Sequence, residues 1–277
     1  MSATGGFGFF VVFVFPYLSV PLYLLVLGYR IWTWAKQYNP AVTLMPGPIS
    51  VYRIWTRQYR PTIDLFPRTH ARRGTEAFRF VKGMLLFSGL FKQDRALWLG
   101  AWPFHAALLL VAVAHLRMLL DFSFLTSAPG VSSRTVDAVF AVAADAGGTV
   151  LVVSSVYLLV RRLLVKRARE VASAGFYAAG LLILAVAVTG CALRVWSPAD
   201  MGAVRAYAAG LVTFSGAPPP VDPVFVWHLL LSQALLLYMP FSHLMHFGGI
   251  FLSRAFLRSS DSFAGTFGEK KGNKRGR

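Results

Sequence analysis

Six histidines and one cysteine are the residues of this 277-residue chain best suited to hold a metal. Five of the histidines fall in two long apolar stretches. His105 and His115 lie ten residues apart in ALWLGAWPFHAALLLVAVAHLRMLLDF, residues 96–122. His228, His243 and His246 crowd VFVWHLLLSQALLLYMPFSHLMHFGGIFLSRAF, residues 224–256. Neutral imidazole ligates zinc and haem iron alike. The lone Cys191 excludes a cysteine-ligated iron–sulfur cluster, and no C-x-x-C-H run is present for covalent haem. Within an apolar stretch Cys191 reads as a small packing residue. The sixth histidine, His70, lies in a basic loop and reads as solvated.

The elements that must position these imidazoles are membrane helices. The chain is 56% hydrophobic and only 14% charged, with a mean hydropathy of +0.57, far from an ordinary soluble domain. Five windows are long enough to cross a hydrocarbon layer of about 30 Å, which takes about 20 residues. They are Phe7–Leu27, Leu97–Leu120, Val136–Val160, Phe176–Trp196 and Val224–Phe247. The expected fold is an all-α membrane protein of five spans, occupying residues 1–256, with a basic flexible tail at 257–277. The first window has no basic n-region and no small-x-small cleavage site, so it reads as a retained anchor.

Basic residues set the expected orientation. Residues 34–96 form a long basic loop, the link after the third span reads RRLLVKRARE, and the tail reads GEKKGNKRGR. The other two loops, 121–137 and 197–222, carry few basic residues. With five spans, all three basic segments fall on one side, which the positive-inside rule makes cytoplasmic. The N-terminus is then outside, in a multi-pass protein of a bacterial inner (cytoplasmic) membrane. The net charge of +17 is accounted for by topology and by anionic lipid headgroups rather than by nucleic acid.

Depth arithmetic pairs the histidines. His105 and His115 stand about 15 Å apart along a helix, and His228 and His246, eighteen residues apart, about 27 Å and on one face. The second and fifth spans run antiparallel. His105 and His246 therefore lie towards the cytoplasm, and His115 and His228 towards the outside. Two bis-histidine haem sites stacked across the membrane follow. Four ligands at two depths cannot form one zinc tetrahedron. The mismatch of about 12 Å is assigned to tilt, side-chain direction and a kink at Pro240. His243, one turn from His246, is a candidate for a haem propionate, a quinone oxygen or a proton path.

Other residues frame these sites. Asp145 lies at membrane depth beside Gly147 and Gly148. It is expected to face the bundle interior or a water-filled cavity, either as a proton or quinone group or as the partner of an arginine, and the glycines permit close helix approach. Arg194 closes the fourth span, placed to snorkel or to meet a haem propionate. In the loop 34–96, NPAVTLMPGPI reads as extended and SVYRIWTRQYR interleaves aromatics with arginines. TEAFRFVKGMLLFSGLFK reads as an interfacial helix with Phe78, Val81, Leu85 and Phe87 towards lipid. This loop is a collar for the bundle and a platform for a cytoplasmic partner. The polyproline stretch of the loop 197–222 stops any helix before the last span.

FHAALLLVAVAH in the second span and WHLLLSQALLLYMPFSHLMH in the last resemble the dihaem cytochrome b family of the nitrate reductase gamma subunit. The ten-residue and eighteen-residue gaps and the PFSxLxH ending carry the resemblance, which covers the five-span core. AHLRMLLDF and TGCALRVW look closer to membrane subunits of sulfite-reduction and heterodisulfide-reductase-like complexes, including transmembrane redox complexes of sulfate reducers. The long loop after the first span departs from the nitrate reductase pattern. The resemblance implies two haem b groups, the inner on His105 and His246 and the outer on His115 and His228. It implies electron exchange between a quinone, expected to be menaquinone, and a cytoplasmic iron–sulfur subunit, with a periplasmic multihaem cytochrome c as a further partner. It also allows an outer quinone site near His115 and Arg117. The expected role is an electron-transfer subunit of a quinone-linked respiratory oxidoreductase in anaerobic or sulfur metabolism. The competing readings are a respiratory nitrate reductase gamma subunit proper and, in another class, a non-haem scaffold or transporter with structural histidines.

Overall fold

A computed structural model describes residues 6–36, 82–83, 85–120, 130, 132–170, 172–196, 200–220 and 222–246. Among them there is no strand. Five helices are long and apolar enough to cross a membrane: Gly6–Thr33, Arg95–Met118, Ser133–Leu164, Ala174–Val195 and Pro223–Phe241. The five-span, all-helical architecture expected from hydropathy is therefore present. His70, Phe78, Val81, most of the basic loop and the tail lie outside the described residues.

Local chemistry starts these helices. The second span begins at Asp94, whose carboxylate accepts a hydrogen bond from the Leu97 amide at 2.8 Å and from Arg161 of the third span at 2.6 Å. Ser132 caps the third span through the Thr135 amide, at 3.1 Å. Asp222 caps the fifth through the Val224 amide, at 2.6 Å, and Pro223 follows at the position where a missing N–H costs nothing.

The second span packs on the third, the third on the fourth, the fourth on the fifth, and the fifth on the first. Small residues set the closest approaches. At Gly100 a Cβ would fall 2.4 Å from the Tyr157 ring, and at Gly180 it would fall 2.8 Å from Leu159. Ala107, Leu151, Ile183 and Ala187 form the buried centre, with Leu235 and Leu244 packed against it. Many large apolar side chains, such as Leu99, Leu109, Val139 and Val153, point outwards, where lipid is their solvent.

The first span shows how proline reshapes a membrane helix. Residues Phe10–Val14 are π-helical, just before Pro16. Pro16 has no N–H, so carbonyls one wide turn earlier lose their intrahelical donor. Two of them are rescued from outside. Gln233 of the fifth span donates its amide to the Val11 carbonyl at 3.1 Å, and the Tyr207 hydroxyl donates to the Val12 carbonyl at 2.6 Å. Gln233 also accepts from the Ser19 hydroxyl at 3.0 Å. All three side chains are buried, and burial pushes the Tyr207 phenol pKa upwards. The first span is thus stapled to the fifth by polar groups that lipid could not satisfy.

Three sequence expectations are corrected. The loop before the last span contains a helix, Met201–Thr213, which Asp200 caps through the Gly202 amide at 2.9 Å. The polyproline stretch follows that helix rather than replacing it. Phe87 does not face lipid. Its backbone is left-handed, with φ 49°, and its ring meets His105 edge-on at 4.9 Å. The indoles of Trp98 and Trp102 pin this corner by donating to the carbonyls of Leu86 and Leu85, at 2.8 and 2.9 Å.

The third correction concerns the last span. Its α-helix ends at Tyr238 rather than kinking at Pro240 and continuing to Phe247. Met239–Phe241 tightens into a 3-10 turn, Ser242 is extended, and His243–Met245 forms a second 3-10 turn. Proline on its own would bend a helix. Here the Ser242 hydroxyl also caps the next turn, accepting from the Leu244 amide at 3.2 Å, which makes the break complete.

Candidate functional site

The second and fifth spans bring the four paired histidines together at two depths. The ring centroids of His115 and His228 are 6.4 Å apart with planes at 28°. Those of His105 and His246 are 5.8 Å apart and nearly perpendicular, at 83°. A metal held about 2 Å from one nitrogen of each ring puts the two centroids about 6.3 Å apart when the two nitrogens lie in line through it, and closer when they do not. The His115–His228 pair stands near that spacing, and the His105–His246 pair about half an ångström inside it.

Each of these rings has Nδ1 tied to oxygen. His105 and His115 donate one helical turn back, to the carbonyls of Ala101 and Val111, both at 2.7 Å. His228 donates across to the fourth span, to the Val186 carbonyl at 3.1 Å and the Thr189 hydroxyl oxygen at 3.0 Å. His246 donates to the His243 carbonyl at 2.9 Å. A carbonyl can only accept, so Nδ1 carries the proton in all four rings. Nε2 is then the nitrogen left to bind a metal, and anchoring of the other ring nitrogen is the usual arrangement at such sites.

The surroundings fit a haem held by imidazole pairs. Phe87 and Phe104 stand edge-on to His105, at 4.9 and 5.2 Å. Gly190 makes room for His228, since a Cβ there would lie 3.1 Å from the ring. Gly190→Val adds bulk against a ring that has no slack. It is expected to lower outer haem content about tenfold, as disturbed ligand orientation does, while the inner haem stays. Haem quantified in the purified variant by its reduced spectrum checks this. Among the described residues no three His, Cys, Asp or Glu side chains gather to hold a metal ion.

The other singled-out residues fall as follows. Asp145 and Arg194 meet in a two-point ion pair of 2.6 and 2.9 Å. Arg194, considered for a propionate, thus spends two of its nitrogens on Asp145. Arg117 lies 3.1 Å from Asp137, which Arg205 also reaches at 2.7 Å. Cys191 packs where the third and fourth spans approach, 3.0 Å from a Cβ placed on Gly148. An apolar groove of about 300 Å³ lies beside it, lined among others by Thr149, Val188, Cys191 and Trp196. Thr149 and Cys191 stand about one turn from Asp145 and Arg194. His243 stacks on Phe176, with centroids 4.0 Å apart.

Sequence reasoning missed Thr189, Gly190 and Phe87 as neighbours of the paired rings. Thr189 and Gly190 sit on the fourth span, whose rotation relative to His228 no spacing reveals. The glycine pair 147–148 was visible as a close-approach signal, and TG at 189–190 carried the same one.

Comparisons with known proteins bear on this arrangement. A family model described as the nitrate reductase gamma subunit matches residues 83–260, a stretch that contains all four paired histidines. The chain is similar to two proteins named Hdr-like menaquinol oxidoreductase cytochrome b-like subunit. That of Archaeoglobus fulgidus is 30% identical over 257 residues, covering 87% of this chain and 76% of the relative. That of Archaeoglobus profundus is 27% identical over 188 residues, covering 64% of this chain and 54% of the relative.

Proposed function

The chain belongs to the nitrate reductase gamma subunit family, and from that premise we propose that it is the membrane cytochrome b subunit of a quinone-linked oxidoreductase complex. In this reading it holds two b-type haems, the inner on His105 and His246 and the outer on His115 and His228. The observation that carries it is the approach of two imidazole pairs at two depths, at 5.8 and 6.4 Å, with every Nδ1 anchored. Haem iron held by two imidazoles supplies reversible one-electron transfer. The protein residues orient the rings, fix the protonated nitrogen and keep water out of the slab between the sites.

The names of the similar proteins support menaquinol as the quinone substrate, and an origin within a multi-subunit complex. The orientation rests on charge. Arg95, Arg161, Arg162, Lys166, Arg167 and Arg169 cluster at one end of the bundle, which the positive-inside rule assigns to the cytoplasm. The N-terminus is then outside and the C-terminus inside. The inner haem faces an iron–sulfur partner at the cytoplasmic end, and a multihaem cytochrome c meets the outer face. The setting is the cytoplasmic membrane.

Of the quinone-site candidates, Asp145 has the most suitable surroundings. Its side chain is 52% exposed at membrane depth, where a charged pair needs polar cover, and the apolar groove alongside suits an isoprenoid tail. Asp145 is paired with Arg194 as Arg117 is with Asp137, but the apolar groove lies beside Asp145, and His243 is covered by its stack on Phe176.

The purified protein tests the reading. Dithionite reduction is expected to produce a b-type α band, with haem at two per chain by extraction. A protein without that band belongs to the non-haem class.

A further inference from the structure

The four anchored rings differ in what holds the anchor. The carbonyls that receive His105, His115 and His228 belong to continuous α-helices, where the helical ladder fixes their direction. The carbonyl that receives His246 belongs to His243, inside a three-residue 3-10 turn that follows a helix break. Such a turn has few bonds of its own to fix a peptide plane. Among the described residues the His243 carbonyl accepts only the His246 amide from within the turn, so packing from outside adds to its hold.

Two ties reach this segment from the start of the fourth span. The Tyr238 hydroxyl donates to the Gly175 carbonyl at 3.0 Å. Next to it, the Phe176 ring stacks on His243 at 4.0 Å with planes at 22°. The Arg162 guanidinium carbon lies 4.1 Å from the same Phe176 centroid. Two groups at that height cannot share one face, so Phe176 is sandwiched between Arg162 and His243. The Arg162 Nε is buried and has no hydrogen-bond partner, so this part of the cation makes no competing polar contact and lies against the ring.

We propose that His243 is a positioning residue for the inner haem ligand, its ring clamped by Phe176 and Arg162 so that its carbonyl holds the imidazole of His246. This rests on the haem reading above. The side chain of His243 supplies a flat face, and its main chain does the orienting. The third span, through Arg162, and the fourth, through Phe176, thereby reach a ligand carried by the fifth.

The test uses the purified holoprotein with three variants, His243→Ala, His243→Phe and Arg162→Met. Readouts are the content, midpoint potential and low-spin EPR signal of each haem. His243→Ala is expected to weaken retention of the inner haem about tenfold, as loss of an outer-shell support does, and to shift its potential and EPR signal while the outer haem stays unchanged. His243→Phe keeps a stacking face and is expected to restore wild-type values. Arg162→Met is expected to shift the inner signals in the same direction, by less. Unchanged inner signals in His243→Ala overturn the proposal. Failure of His243→Phe to rescue also overturns it, because the imidazole nitrogens would then be what matters. Should His243→Ala not fold, Arg162→Met and His243→Phe decide alone, the first shifting the inner signals and the second preserving them. Failure of the haem reading itself shows separately, as wild-type protein without two b-type signals.

Discussion

Alanine at His115 or His228 removes the outer haem and leaves the inner one. Alanine at His105 or His246 does the reverse. In the proposed reading each substitution would delete one of the two imidazoles that hold a haem, and the two pairs share no residue. The expected result is a fall to half the haem per chain, read from the extracted haem and from the loss of one of two α-band components. Quinol oxidation is expected to drop by at least about 100-fold in every case, the upper end of losses seen even for residues one layer further from a metal, because each haem lies in series with the other. A variant that lost both haems, or neither, would break the assigned pairing.

Gln233→Leu carries the largest expected cost in stability. It leaves the Val11 carbonyl without its donor, away from water, while the Ser19 hydroxyl loses its shorter bond and keeps the Pro16 carbonyl at 3.4 Å. An unsatisfied buried polar group costs about 1–3 kcal/mol. Melting in detergent is expected to fall by about 2–4 °C for each kcal/mol lost in a chain near this size. Tyr207→Phe, which orphans the Val12 carbonyl, is expected to cost a similar amount. The double variant should cost less than the sum, since the two carbonyls are neighbours on one π-helical turn. Haem content should stay, because the histidines lie on other contacts. A Gln233→Leu protein that melts like wild type would show that the wide turn satisfies itself.

Much of this molecule was legible in its residues because the membrane restricts the choices. Spans must be long and apolar, so hydropathy located all five. Antiparallel spans of known rise place residues at known depths, so the sequence alone pairs His105 with His246 and His115 with His228, the rings that meet in the fold. What stayed hidden depends on backbone detail. Eighteen residues of ideal helix put His246 on the face of His228. The helix ends at Tyr238, so that rotation argument does not apply, although His246 is the residue that meets His105. Phe87 was placed towards lipid by a helical pattern that its left-handed backbone interrupts. The Gln233 staple had no signal at all, since it answers a carbonyl freed by a proline on another span.

The break after Tyr238 separates two jobs that a straight helix would have merged. From His228 to Tyr238 is ten residues of continuous helix, about 15 Å, the same rise as from His105 to His115 on the second span. The chain beyond is folded into short turns and brings His246 within 5.8 Å of His105, ring to ring, so the expected mismatch is absorbed after Tyr238. The second span is therefore the molecule's ruler. In the haem reading its ten-residue interval would set how far apart the two centres sit, while the turn-borne His246 adapts to that spacing. Lengthening the second span between His105 and His115 would move both centres apart, whereas changes after Tyr238 would retune one alone.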